Sequence, residues 1–259
     1  MSTLRRVVIA VLLVVTVGGL PAAIAATPPD GRNGGADRAP AAAAAAWRDD
    51  FNALDPNTWR VIDRDCFEPR NAAVSNGMLR MTIARSPRTD CPGVTGARIN
   101  TYGLREWGPG IFEARIKFVT APGSWQTFWM TGASGREFPA NGEIDVAEII
   151  GRTPNNTHVA LHSAFLAGGT RRCDQGSAPP ATVNRVWHTY GVKTSSTSVV
   201  FTIDGRTIAT FRPNGTCTWP YGDPMRLLFS SRGGQYGGTV VPSAYPITYL
   251  VDWVTWRPS

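Results

Sequence analysis

An alternating apolar pattern at residues 111–119 constrains the fold of this chain more than any other feature. The even-numbered positions from Phe112 to Phe118 are apolar, whereas the odd-numbered positions from Glu113 to Lys117 are charged. Similar short runs recur between turn sequences such as Asp204-Gly205, and no 11-residue window after position 47 keeps the apolar spacing of a helix. The chain is therefore predicted to be all-β: a two-sheet antiparallel β-sandwich with an open concave face that is free for a ligand.

The first 46 residues do not share this pattern. Residues 1–25 have the layout of a secretory signal peptide, with Arg5-Arg6 before an apolar core and small residues up to Ala25. Residues 26–46 are rich in Pro, Gly and Ala, which predicts a disordered linker. We therefore expect one domain at residues 47–259 in a protein that is secreted, extracellular, soluble after signal cleavage, and monomeric. A retained N-terminal anchor is the alternative.

The charge pattern argues against a nucleic-acid partner. The net charge is +7, but the basic residues are scattered and do not interleave with aromatic residues.

The chain has four cysteines, which in an exported protein favour disulfides over free thiols. A zinc site is not indicated, because the sequence contains no CxxC pair. Of the three possible connectivities we favour Cys66–Cys91 and Cys173–Cys217, because each closes a moderate loop in polar, turn-rich sequence. One or both pairs could instead be free thiols.

Three acidic residues lie close together in a β-branched stretch, Glu143-Ile144-Asp145-Val146-Ala147-Glu148. Strand alternation places Glu143 and Asp145 on one face, but it would place Glu148 on the apolar face, where an unpaired carboxylate is costly. One extra residue at Ala147, a β-bulge, returns Glu148 to the acidic face. The stretch therefore predicts a bulged strand with a row of three acids on an accessible sheet face.

Two carboxyl groups on either side of a scissile bond are what glycoside hydrolysis requires. A solvated sheet face and a Ca²⁺ site are the plainer interpretations of such an acidic row. Trp125 and Trp129 lie four residues apart just before it, so they share a strand face and could stack on sugar rings. Trp107, in a Gly/Pro-rich loop, is expected to be exposed at the rim of a cleft. The alternative for these tryptophans is a place in the core.

The acidic motif resembles the bulged signature of glycoside hydrolase family 16, in its laminarinase-type branch of endo-1,3-beta-glucanases. Further segments resemble this family in the same order: Asp50-Phe51, Ala97–Thr101, Glu113–Lys117, Trp125–Met130, Trp187–Tyr190 and Val251–Val254. The resemblance covers residues 47–258. It implies a β-jelly roll with a long open cleft for endo-acting cleavage.

The resemblance also implies roles for individual residues. Glu143 would be the nucleophile, Glu148 the general acid/base and Asp145 an assisting carboxylate. Trp125 and Trp129 would line sugar subsites, and Arg98 and His162 would contact sugar; alternatively, Arg98 pairs with a carboxylate and His162 is a core histidine. No cofactor is required for the chemistry, although many members of the family carry a structural Ca²⁺, for which Asp252 is the nearest matching position.

These features together predict a secreted, retaining endo-β-glycosidase that hydrolyses β-glucan, specifically an endo-1,3-β-glucanase. The sequence departs from the usual laminarinase pattern at Gln126-Thr127, at Phe138–Asn141 and at Ala147, where a larger residue is common. Alternatives are therefore a hydrolase of an agarose- or carrageenan-like polysaccharide, a transglycosylase of wall glycans, and a non-catalytic β-glucan-binding domain.

Overall fold

A computed structural model describes residues 46–169 and 171–259, so the predicted signal peptide and all but the last residue of the predicted linker lie outside the described residues. Within these ranges the chain forms short strands joined by turns and 3-10 turns, and none of its helices is long and apolar enough to cross a membrane. The strands are β1 Trp47–Asp49, β2 Arg60–Val61, β3 Ala72–Ser75, β4 Met78–Arg85, β5 Val94–Thr95, β6 Ala97–Asn100, β7 Ile111–Lys117, β8 Ser124–Gly132, β9 Glu143–Ile150, β10 His158–Ala164, β11 Arg172–Ser177, β12 Trp187–Thr194, β13 Val199–Ile203, β14 Arg206–Phe211, β15 Met225–Gly233 and β16 Ile247–Arg257.

The strands form two antiparallel sheets. Sheet A has the order β14-β13-β12-β7-β16-β4-β3, with β1 paired to β16 and β5 paired to β4. Sheet B has the order β11-β10-β9-β8-β15-β6-β2, which puts the acidic strand β9 between two full-length neighbours. The predicted two-sheet antiparallel sandwich is confirmed.

The core lies between the sheets and follows the alternation of the sequence. Phe112, Ala114 and Ile116 of β7 are fully buried, whereas Glu113 and the other charged residues of that strand are half-buried on the opposite face. From sheet B the core receives the apolar side chains of β9, namely Ile144, Val146, Ala147 and Ile149. Because these side chains occupy the inner face, the acids of β9 are left on the outer face of sheet B.

Two hairpins close on turns that the sequence predicts. Asp204 and Gly205 join β13 to β14 with φ of 48° and 75°, and Asn76 and Gly77 join β3 to β4 with φ of 54° and 65°. Positive φ at both central residues characterises the type I′ turn, which matches the twist of the flanking strands.

Both predicted disulfides are present, Cys66–Cys91 and Cys173–Cys217, with Cα–Cα distances of 5.7 and 5.6 Å. The second bond ties β11, an edge strand of sheet B, to the segment before β15. It therefore anchors the strand next to β10, which in turn flanks the acidic strand.

The prediction that Trp107 is exposed at a cleft rim is wrong. Its side chain is only 6% exposed, and its ring centroid lies 4.5 Å from that of Trp47. Its backbone N–H and C=O exchange hydrogen bonds with Met225, which draws the loop against the end of β15. The apolar ring thus gains more from burial beside Trp47 than from exposure, and it lies in the core, not in the cleft.

Candidate active site

The acidic strand β9 carries the predicted β-bulge. Against β8, Phe128 pairs with Ala147 and the next residue, Trp129, pairs with Asp145, so Val146 has no partner of its own. The register with β10 shifts at the same place. Val146 and Ala147 both face the core, with 2% and 0% exposure, and the alternation resumes one residue late. The extra residue therefore returns Glu148 to the face of Glu143 and Asp145.

All three acids line one cavity on the outer face of sheet B. The cavity also contains Trp125 and Trp129 from β8, Arg98 from β6, and Ser230 and Arg232 from β15. Three neighbouring cavities each share at least two of these residues, so together they form a cleft that runs across the strands. The structure thus brings together the three acids, both tryptophans and Arg98.

Burial raises the pKa of every acid in the cluster. Desolvation is the main cause for Glu143 and Glu148, whose pKa values rise to about 8, and the like charge of Asp145 adds to it. Desolvation also raises the pKa of Asp145, to about 7. Because ionising any one of these groups makes the others harder to ionise, the cluster as a whole keeps at least one proton near neutral pH.

The two tryptophans of β8 form one wall of the cavity. The indole Nε1–H of Trp125 donates a hydrogen bond to Oε1 of Glu148 at 2.7 Å, and that of Trp129 donates to Oγ of Ser230 at 3.0 Å. Both rings are half-buried, so part of each indole surface is available to a ligand. These bonds fix the rings and, for Trp125, orient the carboxyl group that it contacts.

His162 lies between two carboxyl groups. Its Nε2 is 2.9 Å from Oδ2 of Asp145 and 3.9 Å from Oε1 of Glu143, while its Nδ1 is 2.7 Å from Oδ1 of Asp174. Its side chain is 13% exposed, so it lies beside the acids instead of projecting into open solvent. His162 is therefore not a core histidine: its Nδ1 is hydrogen-bonded with Asp174, and its Nε2 makes a close polar contact with Asp145. The sugar contact predicted for His162 stays a prediction.

Two arginines form the wall opposite β10. Arg98 donates from Nε to Oγ of Ser230 at 3.1 Å, and its guanidinium lies over the rings of Phe67 and Trp129. Burial, together with the like charge of Arg232, lowers the pKa of Arg98 to about 10. In the described part of the chain no carboxylate lies within 4 Å of either guanidinium, so the alternative of an Arg98–carboxylate pair is not what the structure contains.

Glu143, Asp145 and His162 could also hold a metal ion, because one ligand atom from each lies within 4.8 Å of the others. His162, however, already has both ring nitrogens within hydrogen-bonding distance of carboxyl groups. We therefore interpret this group as a cluster of acids in close polar contact with His162.

Asp252, for which the resemblance implies a Ca²⁺ role, lies in an ion pair, and the Ca²⁺ role stays a prediction. Its Oδ2 lies 2.6 Å from Nη1 of Arg115 on the neighbouring strand β7. Calcium sites require several converging oxygen ligands, and the guanidinium of Arg115 already engages Oδ2 of Asp252. Asp252 therefore serves a cross-strand ion pair.

Asp174, Arg232 and Ser230 are cleft residues that the sequence did not reveal. Asp174 belongs to an edge strand with no motif around it, and Ser230 and Arg232 lie more than 80 residues after the acidic stretch. The half-exposed Tyr236 extends the wall beside Trp125, with ring centroids 5.3 Å apart. Only strand pairing brings these residues together.

Comparisons with known proteins agree with this geometry. The family profile "Glycosyl hydrolases family 16" matches residues 64–255. A beta-glucanase from Rhodothermus marinus is 29% identical over 201 residues, which cover 71% of this chain and 69% of that protein. Glucan endo-1,3-beta-glucosidase A1 from Niallia circulans is 24% identical; the match covers 84% of this chain but only 38% of the longer relative. A laminarinase structure from Flavobacterium sp. UMI-01 superimposes with a TM-score of 0.72 at 26% identity, covering 82% of this chain and 98% of the other.

Proposed function

Since the chain belongs to the glycosyl hydrolases family 16, we propose that it is a retaining endo-1,3-β-glucanase of the laminarinase type. Family membership makes it an endo-acting glycoside hydrolase, and its relatives support β-glucan as the polymer that it cleaves. The linkage, the roles of the individual acids and the retaining course are the parts that we propose. The observation that carries the proposal is the bulged strand, which aligns Glu143, Asp145 and Glu148 in a cavity walled by two tryptophans.

The chemistry proceeds by double displacement. Glu143 attacks the anomeric carbon while Glu148 protonates the departing glycosidic oxygen, and Glu148 then takes a proton from water that hydrolyses the glycosyl–enzyme ester. The raised pKa of Glu148 suits the first step, because a carboxyl group that donates a proton near neutral pH must still hold it there. The indole of Trp125 orients Glu148 through its hydrogen bond, and the exposed parts of both indoles offer apolar surfaces for sugar rings.

The decisive variant is Glu143→Gln. It removes the nucleophile but keeps the size of the side chain, so we expect hydrolysis of laminarin to fall at least about 1000-fold while laminarin still binds. The measurements are reducing-end release and isothermal titration with laminarin. Hydrolysis at the wild-type rate by this variant would contradict the assignment of Glu143. Binding without hydrolysis by the wild-type protein would instead favour a non-catalytic glucan-binding domain.

A panel of laminarin, lichenan, agarose, carrageenan and xyloglucan tests the linkage. We expect fastest cleavage of laminarin, with short oligosaccharides and new reducing ends as products. Products longer than the starting chains would indicate a transglycosylase. If the protein cleaves another glycan rapidly but does not cleave laminarin, the β-1,3 assignment is wrong, although the protein is still a hydrolase.

A sulfated galactan of the carrageenan type is the second candidate substrate. Arg98 and Arg232 line the same cavity as the acids, and within the described residues neither has a carboxylate within 4 Å. Guanidinium groups in this state can bind a sulfate ester through paired hydrogen bonds. The Arg232→Met variant separates the candidates, because it should slow cleavage of a sulfated substrate much more than cleavage of laminarin.

We also propose that the protein acts outside the cell. Support comes from the signal-like sequence at residues 1–25 and from the two disulfides, which persist in oxidising compartments. N-terminal sequencing of the protein recovered from the culture medium should give a start after about residue 25. A start at Met1 would contradict cleavage.

A further inference from the structure

Three residues on adjacent strands form one row on the outer face of sheet B. His162 of β10 is the direct cross-strand partner of Glu143 in β9 on one side and of Asp174 in β11 on the other. Directly opposed residues of antiparallel strands point to the same face, so this register brings the three side chains together. The row therefore joins the acid cluster to the edge strand of the sheet.

The contacts along this row require an additional proton. Nδ1 of His162 is 2.7 Å from Asp174, and Nε2 is 2.9 Å from Asp145. A neutral imidazole has one N–H, so it can donate to only one of two carboxylates. At 2.9 Å an unprotonated ring nitrogen and a carboxylate oxygen repel each other, so the second contact is attractive only with another proton, carried either by the ring or by Asp145. The arrangement is therefore stable when His162 and Asp145 together hold one proton more than a neutral imidazole and a carboxylate do.

Asp174 is the ionised end of the row. Desolvation acts to raise its pKa, but hydrogen bonds from His162 and Arg172 outweigh desolvation and hold the pKa below its usual value. Nε of Arg172 lies 2.6 Å from the same Oδ1 that contacts His162. An anion at this position binds the Nδ1–H of the imidazole and directs Nε2 toward Asp145, as the buried carboxylate does in a Ser-His-Asp triad.

We propose that Asp174 is a positioning residue for hydrolysis: by binding the Nδ1–H of His162, it holds a proton between His162 and Asp145, next to Glu143. The side of Asp145 that faces His162 then carries a shared proton and not a full negative charge. This lowers the repulsion on Glu143, the glutamate that belongs to the row, so Glu143 ionises more readily while Glu148 keeps its proton. The inference rests on the proposed roles of Glu143 and Glu148.

The charged groups around His162 come from each strand packed beside it. Glu143 and Asp145 face it from β9, Asp174 and Arg172 from β11, and Glu148 lies further along β9. Removing the charge of Asp174 leaves the other groups in place. Asp174 also raises the pKa of Asp145 directly through its like charge, so the Nδ1 proton of His162 is the measurement that isolates the positioning effect.

The test is Asp174→Asn, in which a neutral amide replaces the anion. We expect kcat on laminarin to fall about 10- to 100-fold, as for outer partners of other functional imidazoles, with KM changed less than about twofold. The acidic limb of the kcat/KM profile should move to higher pH, because an unshielded Asp145 makes Glu143 harder to ionise. Asp174→Glu should recover part of kcat.

A matched control exists in sheet A. His188 and Asp204 form the same type of contact, with Nδ1 to Oδ2 at 2.7 Å, outside the cavities that surround the acids. Asp204 has φ of 48° in its turn, a conformation that asparagine tolerates, so Asp204→Asn should leave kcat and the pH profile unchanged.

Several results would overturn the proposal. The first is a kcat of Asp174→Asn equal to that of the wild type. The second is a fall in kcat together with a lower melting temperature and an unchanged pH profile, which would indicate a purely structural role. An activity-independent measurement is the nitrogen-15 and proton NMR spectrum of the imidazole. A strongly deshielded Nδ1 proton of His162 is expected in the wild type and should disappear in Asp174→Asn; its absence in the wild type contradicts the proposal. If the wild type cleaves no glycan, the proposed function fails, and the spectrum alone decides the role of Asp174.

Discussion

At the scale of single residues, the buried acid cluster lowers the stability of the fold once its carboxyl groups must ionise. Glu143 and Glu148 ionise freely in an unfolded chain, but burial and the charge of Asp145 raise their pKa values in the folded protein. A group with a raised folded-state pKa contributes stability below its unfolded pKa, and that contribution disappears as the pH rises through the folded value. The fold should therefore weaken between about pH 4.5 and pH 8.

The variant Glu148→Gln tests this cost. Below pH 4 its unfolding free energy should match that of the wild type, because Glu148 is then protonated in both states. Above the folded pKa of about 8, the variant should be more stable by at least about 1 kcal/mol. Urea unfolding at a series of pH values measures the difference.

The exposed residue Glu137 provides the control for that series. Glu137→Gln should change stability by less than about 0.5 kcal/mol at every pH. A Glu148→Gln variant that is no more stable than the wild type at pH 9 would show that the folded protein accommodates the ionised carboxylate without cost.

At the scale of secondary structure, the bulge of β9 converts an irregular spacing of acids into one functional face. It does so by burying two successive small or branched residues, Val146 and Ala147, on the core side. Ala147 is fully buried in the main core, so the neighbouring side chains leave no solvent-filled space around it. The small bulge residue, which departs from the larger one common in this branch, is matched to the packing of this particular core.

Enlarging the bulge residue should therefore destabilise the fold. We expect Ala147→Met to lower the unfolding free energy by about 1–3 kcal/mol, because a fully packed core must shift to accept the longer side chain. Ala73→Met, on the exposed side of β3, should change it by less than about 0.5 kcal/mol. Equal unfolding free energies of the two variants would mean that the core has spare room at the bulge.

At the scale of the whole molecule, two disulfides connect distant segments of the sandwich. Cys173–Cys217 spans 44 residues and holds β11, an edge strand paired on one side only. An edge strand is hydrogen-bonded on one side only, so the disulfide adds a second restraint on β11 beside its ladder with β10. Since Asp174 follows Cys173 directly, the same bond keeps Asp174 beside His162.

Removing this disulfide should affect both stability and hydrolysis. In the double variant Cys173→Ser/Cys217→Ser we expect the unfolding free energy to fall by up to about 4 kcal/mol, from the regained chain entropy of a loop of this length. Hydrolysis of laminarin should fall as well, because β11 then holds Asp174 less firmly. Denaturant unfolding and initial rates at a temperature where the variant is fully folded measure the two effects separately. Wild-type rates under those conditions would contradict a role for the bond at the site.

The sequence by itself determined the features that depend on neighbours along the chain. Alternation gave the strand faces, Asp204-Gly205 and Asn76-Gly77 gave tight hairpins, and the cost of burying Glu148 required a bulge. These inferences succeed because a side chain's face depends on its position in the strand, and a turn depends on its own backbone.

Contacts across strands, by contrast, follow from how the whole sandwich packs. Trp107 was placed at a rim on the basis of its loop, but contact with Trp47, sixty residues earlier, buries it in the core. Asp252 binds Arg115, and His162 binds Asp174, through strand registers that no local pattern specifies. Periodicity determines which way a side chain points, whereas its partners depend on how distant strands pair, and that pairing is set by the packing of the whole sandwich.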